Sequence, residues 1–238
     1  MTQTIIQKSF APFKTYLPKW LYNPIRSTLT ACVGPFLSAY RSGYLLSCFK
    51  MAAVSKSGNP VPWYTYPCID FLRFREFESK FVLEFGGGQS TLWWAERAKS
   101  VVTLEGDLDW YNKIKSRMPG NVDLYHVSME NDVINYSSAR HILESLKRAK
   151  YDVIIIDGLY RSKMIPIALN LVSDDGMIIC DNAEGFGFYE GFRGSGLNRV
   201  DFFGNAPGVV LPHCTSVFFK GSSFAFNYRF PIPVVATD

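Results

Sequence analysis

The sequence predicts an α/β protein: one open, mostly parallel sheet of seven strands with helices on both faces, an antiparallel C-terminal strand pair, and an N-terminal helical arm. Three observations carry this reading. From residue 81 onward, short apolar runs rich in Val and Ile alternate with amphipathic stretches. The segment Val82-Leu83-Glu84-Phe85-Gly86-Gly87-Gly88-Gln89-Ser90-Thr91 joins one such run to a helical stretch through three consecutive glycines. Residues 1–69 hold seven bases and no Asp or Glu, the first acid being Asp70.

The arm comes first. Its seven bases set against an overall net charge of +4 leave the rest of the chain at −3. Pro12, Pro18, Pro24 and Pro35 predict short helices, followed by one over residues 38–51, because an interior proline removes a helical donor. Ser55 to Pro62 is a turn-rich linker, so residues 1–62 read as a basic arm or lid and residues 63–238 as the main domain. Bases interleaved with Phe10, Phe13, Tyr16, Trp20 and Tyr22 suit an anionic membrane surface, a transit peptide or nucleic acid, and equally an ordinary basic lid. Crossing a bilayer takes about 20 apolar residues. The run from Ser27 to Tyr40 is bounded by Arg26 and Arg41 and interrupted by Pro35. Five cysteines without a C-x-x-C pair imply neither a zinc knuckle nor a disulfide framework, and the expectation is a cytoplasmic protein that touches a membrane at most peripherally.

After a short helix at Ile69 to Arg75, the expected strands are Phe81 to Phe85, Val101 to Glu105, Val122 to Val127, Tyr151 to Asp157 and Met177 to Asp181. Helices are expected at Ser90 to Ala98, Leu108 to Met118, Ser137 to Ala149 and Ser162 to Leu171. In the third of these, Ile142, Leu143, Leu146 and Ala149 form one apolar stripe at spacings of three and four. Arg199 to Phe203 and Thr215 to Lys220 have a Gly/Pro loop between them instead of a helix, which predicts an antiparallel pair.

The glycine junction reads as a cofactor cradle, because glycine admits close approach and positive φ while the following helix presents unpaired N–H groups. A dinucleotide turn of the form G-x-G-x-x-G would need glycine at 91, where Thr91 stands. Glu84, two residues before Gly86, disfavours a pyrophosphate and favours a cation. Glu105 closes the second strand 17 residues beyond Gly88, where a carboxylate can take both hydroxyls of a ribose.

Glu84-Phe-Gly86-Gly87-Gly88, Glu105, the strand ending at Asp157 and the C-terminal strand pair resemble a Rossmann-like class I S-adenosylmethionine-dependent methyltransferase over roughly residues 63–222. The segments Pro62 to Pro67 and Cys214 to Phe218 look similar to a bacterial branch of that superfamily, which indicates no substrate. The resemblance implies S-adenosylmethionine as cofactor, held by Gly86, Gly87, Gly88, Ser90, Thr91, Glu84 and Glu105. It also implies Ser128 and Met129 on the adenine side, Tyr64 and Thr65 near the carboxylate, and Asp157 near the methionine part.

Methyl transfer needs alignment and exclusion of water, plus a means of handling the acceptor proton if the acceptor is a hydroxyl. Asp157 and Asp181, with Asn182, fall at the ends of neighbouring strands and are the catalytic candidates. Their arrangement resembles the Mg²⁺ site of catechol and caffeoyl-type O-methyltransferases, and it equally suits a metal-free pocket. Arg161 and Asn182 are the candidates for holding the acceptor, whereas His126, His141 and His213 stand isolated. The expected activity is methyl transfer to a hydroxyl of a small-molecule or glycan-like acceptor. Two alternatives stay open: a nucleic-acid methyltransferase using the basic arm, and a non-catalytic or NAD-binding Rossmann-like protein. The sequence carries no sign of oligomeric state.

Overall fold

A computed structural model describes residues 17–130, 133–134, 136–158 and 161–230, the side chains at 129, 130, 133 and 134 excepted. The expectations for Lys8, Phe10, Phe13, Lys14, Tyr16 and the side chain of Met129 therefore lie outside the described residues.

Three helices lead the described chain, α1 (Lys19–Arg41), α2 (Tyr44–Lys50) and α3 (Tyr66–Arg73). The sheet domain follows as β1 (Phe81–Phe85), α4 (Gln89–Ala95), β2 (Ser100–Glu105), α5 (Leu108–Lys115), β3 (Val122–His126), a hairpin of β4 (Met129–Glu130) and β5 (Val133–Ile134), and α6 (Tyr136–Ser145). Then come β6 (Tyr151–Ile156), a 3₁₀ turn (Arg161–Met164), α7 (Ile165–Leu171), β7 (Val172–Cys180), α8 (Phe188–Gly191), β8 (Asn198–Gly204) and β9 (His213–Phe219).

Seven strands form one sheet in the order β3-β2-β1-β6-β7-β9-β8, parallel from β3 to β7, with β9 antiparallel to both β7 and β8. This is the Rossmann-like, mostly parallel seven-stranded sheet with an antiparallel C-terminal pair that the sequence predicts. The chain order turns back between β1 and β6, and in open α/β sheets the crevice outside the strand ends at such a point is where ligands bind.

Alternation along each strand feeds two cores. Leu83, Phe85, Leu104, Ile154, Ile156 and Ile178 pack on one face under α6 and α7. Val82, Val101, Val153, Ile155 and Ile179 pack on the other against α3 and the paired indoles of Trp93 and Trp94, whose rings meet edge to face at 4.8 Å. Near-continuous apolar strands are what a parallel sheet buried on both faces demands.

Two expectations change. The arm is not a set of short helices at Pro24 and Pro35: α1 runs 23 residues straight through both. It buries no residue, so the carbonyls four residues before each proline can turn to water. The stripe on α6 ends early, with Leu143 buried, Ile142 and Leu146 half-buried and Ala149 exposed. Lys147 takes φ +53°, the left-handed conformation that ends the helix before Ala149 can join the stripe. Among the described residues no helix is long and apolar enough to cross a membrane.

Candidate cofactor and acceptor site

The turn after β1 is built by its neighbours. Gly86 has φ +93°, and a Cβ there would collide with the main-chain carbonyl of Asp157 at the end of β6. Its N–H donates to the carbonyl of Leu104 on β2 at 2.9 Å. A Cβ on Gly87 would stand 2.9 Å from the Thr103 methyl. Gly88 is extended at φ 173° and has open space around it, so the first two glycines are the ones the geometry requires.

Glu105 ties the turn to β2. Its Oε2 accepts from the Gly87 N–H at 2.8 Å and its Oε1 from the Asp107 N–H at 2.8 Å. A carboxylate offers about four acceptor positions, so two backbone bonds do not exhaust it. Trp110, in the first turn of α5, donates its indole N–H to the Gly87 carbonyl at 2.7 Å, while Asp107 caps that helix by accepting from the Trp110 N–H at 2.8 Å. Nothing in the composition marked Trp110. Its signal is the acid at 107 capping a helix immediately after β2.

Glu84 lies beneath the turn, fully buried. Its Oε2 accepts from the hydroxyls of Thr91 (2.5 Å) and Thr103 (3.0 Å), and the Thr91 hydroxyl in turn accepts from the Gly88 N–H at 2.9 Å. Oε1 has no partner among the described residues. Burial pushes its carboxyl from 4.5 up to about 7, against hydrogen bonds from Ser90, Thr91 and Thr103 that favour the charged form, with Asp157 adding a further upward push.

A second cluster stands at the tips of β6 and β7. The Arg161 guanidinium pairs with Asp157 Oδ1 at 3.0 Å, donates to Asn182 Oδ1 at 2.9 Å, to the Gly158 carbonyl at 2.9 Å and to the Asp181 carbonyl, and stacks 4.5 Å over the Phe186 ring. Asn182 has φ +50°, a conformation Asn tolerates better than most residues. Asp181 Oδ1 accepts from the Thr215 hydroxyl at 2.7 Å, and His213 Nε2 lies 3.4 Å from the same oxygen, within ion-pair reach but off line for a hydrogen bond. His213 is buried, and its Nδ1 has no partner among the described residues. Burial and the neighbouring Asp181 carry the Asp157 carboxyl up to about 6, although Arg161 and His213 pull it down. The pairing with Asp181 raises His213 above its ordinary value despite partial desolvation.

The structure therefore brings Glu84, Gly86, Gly87, Gly88, Thr91 and Glu105 into one cluster and Asp157, Arg161, Asp181 and Asn182 into another. The Asp157 N–H donates to the Phe85 carbonyl at 3.0 Å and joins the two. Thr65 is tied to the C-terminal strand pair. Its N–H donates to the Thr215 hydroxyl at 2.9 Å and its own hydroxyl to the Phe202 carbonyl at 2.9 Å, so it clamps the incoming segment to β8 and β9. Tyr64 is buried too, its hydroxyl accepting from the Trp94 indole at 3.2 Å, and Ser128 is exposed beyond β3. His213, isolated in the sequence, stands beside Asp181 in the second cluster. The antiparallel register that sets Cys180 opposite Ser216 brings the start of β9 to the tip of β7.

The expected metal oxygens already surround a cation. Arg161 bridges Asp157, Asp181 and Asn182, and an ion among them would have to displace the guanidinium. Among the described residues no group of three or more His, Cys, Asp and Glu has metal-binding spacing.

No family model matches the chain, and no curated protein matches its sequence. Among solved structures it is similar to the O-methyltransferase from Bacillus cereus in complex with SAH, at 15% identity over 82% of this chain and 97% of that one, with a TM-score of 0.48. It is similar to a precorrin-6y C5,15-methyltransferase from Geobacter metallireducens at 13% identity over 65% and 87%, TM-score 0.46. It is also similar to a tRNA (m1A58) methyltransferase from Aquifex aeolicus at 15% identity over 66% and 69%, TM-score 0.42.

Proposed function

We propose that the chain is an S-adenosylmethionine-dependent methyltransferase acting on a hydroxyl of a small-molecule or glycan-like acceptor, without a metal. One observation carries the reading: Glu105 is bonded to a glycine turn at the sheet's switch point, Glu84 is buried beneath that turn, and Asp157 stands at the adjoining tip of β6. An acidic crevice suits a cofactor bearing a sulfonium and an ammonium and opposes the pyrophosphate of NAD. The main chain of Gly86 to Gly88 and the carboxylates of Glu105 and Asp157 are the groups that would hold it. When bound, the cofactor supplies a methyl group activated on positive sulfur.

The chain's own residues then handle the acceptor. His213 Nδ1, buried and without a partner among the described residues, is the group that would receive the hydroxyl proton, and Asp181, 3.4 Å from the other ring nitrogen, would stabilise the imidazolium that results. Arg161 holds Asp157 and Asp181 apart and keeps their charges balanced. Because Asp181 raises the imidazole's proton affinity, His213 is protonated at low pH and becomes a base only as pH rises through its elevated pKa. The rate should climb with pH through that range.

Calorimetry with S-adenosylmethionine and with NAD tests the cofactor: micromolar binding of the former alone is expected, weakened by Glu105→Ala. Binding of NAD alone would sink the reading. Methyl transfer should persist in EDTA and fall about a hundredfold or more in His213→Asn, with loss of the pH limb. Abolition by EDTA with recovery on adding Mg²⁺ would replace Arg161 and His213 with a metal.

A further inference from the structure

One face of α1 carries Tyr22, Ile25, Leu29, Val33, Phe36 and Tyr40 at successive spacings of 3, 4, 4, 3 and 4. On a helix these share one stripe. None is buried, and Phe36 is 63% exposed. A 23-residue helix with an uncovered apolar stripe is a surface awaiting a partner rather than a scatter of exposed side chains.

Charge selects the partner. Neither α1 nor any other part of residues 1–69 contains an acid, and Lys19 and Arg26, seven residues apart, fall along one border of the stripe. Long basic side chains there can keep their charges at a headgroup layer while the apolar side chains sink past it. Phe49 and Met51, at the end of α2, are also exposed, 86% and 88%, as are Val210 and Leu211, 84% and 74%. The 205–212 loop that bears the last two is fastened to α2, since the Tyr44 hydroxyl donates to the Val209 carbonyl at 3.2 Å and Gly208 packs on Ser47.

We propose that α1 lies flat on an anionic lipid bilayer surface, its stripe inserted to the level of the headgroups and Lys19 and Arg26 over the lipid phosphates. A second copy of the chain is a poorer occupant, because each copy would bring Lys19, Arg26 and Arg41, with no acid on α1, against the same three bases. An RNA would neutralise the bases but leave the aliphatic side chains of Ile25, Leu29 and Val33 in water. The assignment stands apart from the methyl-transfer reading and does not depend on it.

Cosedimentation of the full chain with lipid vesicles tests it, using pure phosphatidylcholine and an equal mixture of phosphatidylcholine and phosphatidylglycerol. Binding is expected to the mixture, weakened by salt that screens the headgroup charge. The double change Leu29→Glu with Phe36→Glu should lower partitioning at least about tenfold, because it removes two inserted side chains and adds repulsion. Since α1 buries no residue, that variant is expected to keep the wild-type melting temperature, which shows that it still folds. Failure of the wild-type chain to bind the mixture would overturn the proposal, as would equal binding to neutral vesicles. Light scattering that shows a dimer split by the double change, with no vesicle binding, would assign the stripe to a second copy instead.

Discussion

Gly86 and Gly88 sit two residues apart in one turn and answer to different constraints. Gly86 combines positive φ with the Asp157 carbonyl where a side chain would begin, whereas Gly88 is extended and uncrowded. Gly86→Ala should therefore cost more than about 2 kcal/mol, from left-handed strain plus the clash, and displace the tip of β6. Gly88→Ala should leave the melting temperature nearly unchanged. Thermal unfolding of both variants checks this, and equal losses would refute the distinction. Trp110 offers a second test at this scale. Its indole bonds to Gly87 and adjoins the cradle, so binding of S-adenosylmethionine should change tryptophan fluorescence in the wild type and much less in Trp110→Phe.

At the scale of an element, α1 and α4 are opposites. The seven residues of α4 are held by burial of Trp93 and Trp94, while α1 has no buried residue and two interior prolines, each costing about 3 kcal/mol relative to Ala. The amides of α1 should exchange with solvent much faster than those of α4, and replacing Pro24 and Pro35 by Ala should slow them. Hydrogen exchange measures both, and α1 amides as protected as those of α4 would show that something covers the helix. Local freedom of this kind is compatible with a surface helix that settles when its apolar stripe meets a partner.

For the whole molecule, the consequence is a pH-dependent stability set by buried acids. Glu84 and Asp157 have folded pKa values raised to about 7 and about 6, so between the unfolded carboxylate range and about pH 7 the native state binds more protons than the unfolded one. Stability must fall as pH rises through that window, the reverse of a salt-bridged carboxylate. For Glu84 the full effect is on the order of 3 kcal/mol. The melting temperature should decline from about pH 5 to about pH 8, and Glu84→Gln should flatten much of the decline. A bound cation would favour the ionised form of Glu84, so cofactor affinity should rise over the same interval. A melting temperature that increases across it would contradict the buried, orphaned carboxyl.

The sheet was legible because its strands are apolar on both faces and separated by amphipathic helices, a pattern set by local chemistry and the burial a parallel sheet requires. The glycine turn, Glu105 and the acids ending β6 and β7 were legible for the same reason: strand ends can be read, and in this topology they point to one crevice. The direction of side chains could not be read that way. The bonds of Thr65 to Thr215 and Phe202 leave no local mark, and α1 runs through prolines that local propensity counts as breaks. Tertiary structure alone decided that Arg161 fills the space among Asp157, Asp181 and Asn182, and that His213, an isolated histidine in the chain, stands beside Asp181. Both depend on register between segments some 20 to 35 residues apart, and pairing across such distances is fixed by packing of the whole sheet, not by the residues on either side.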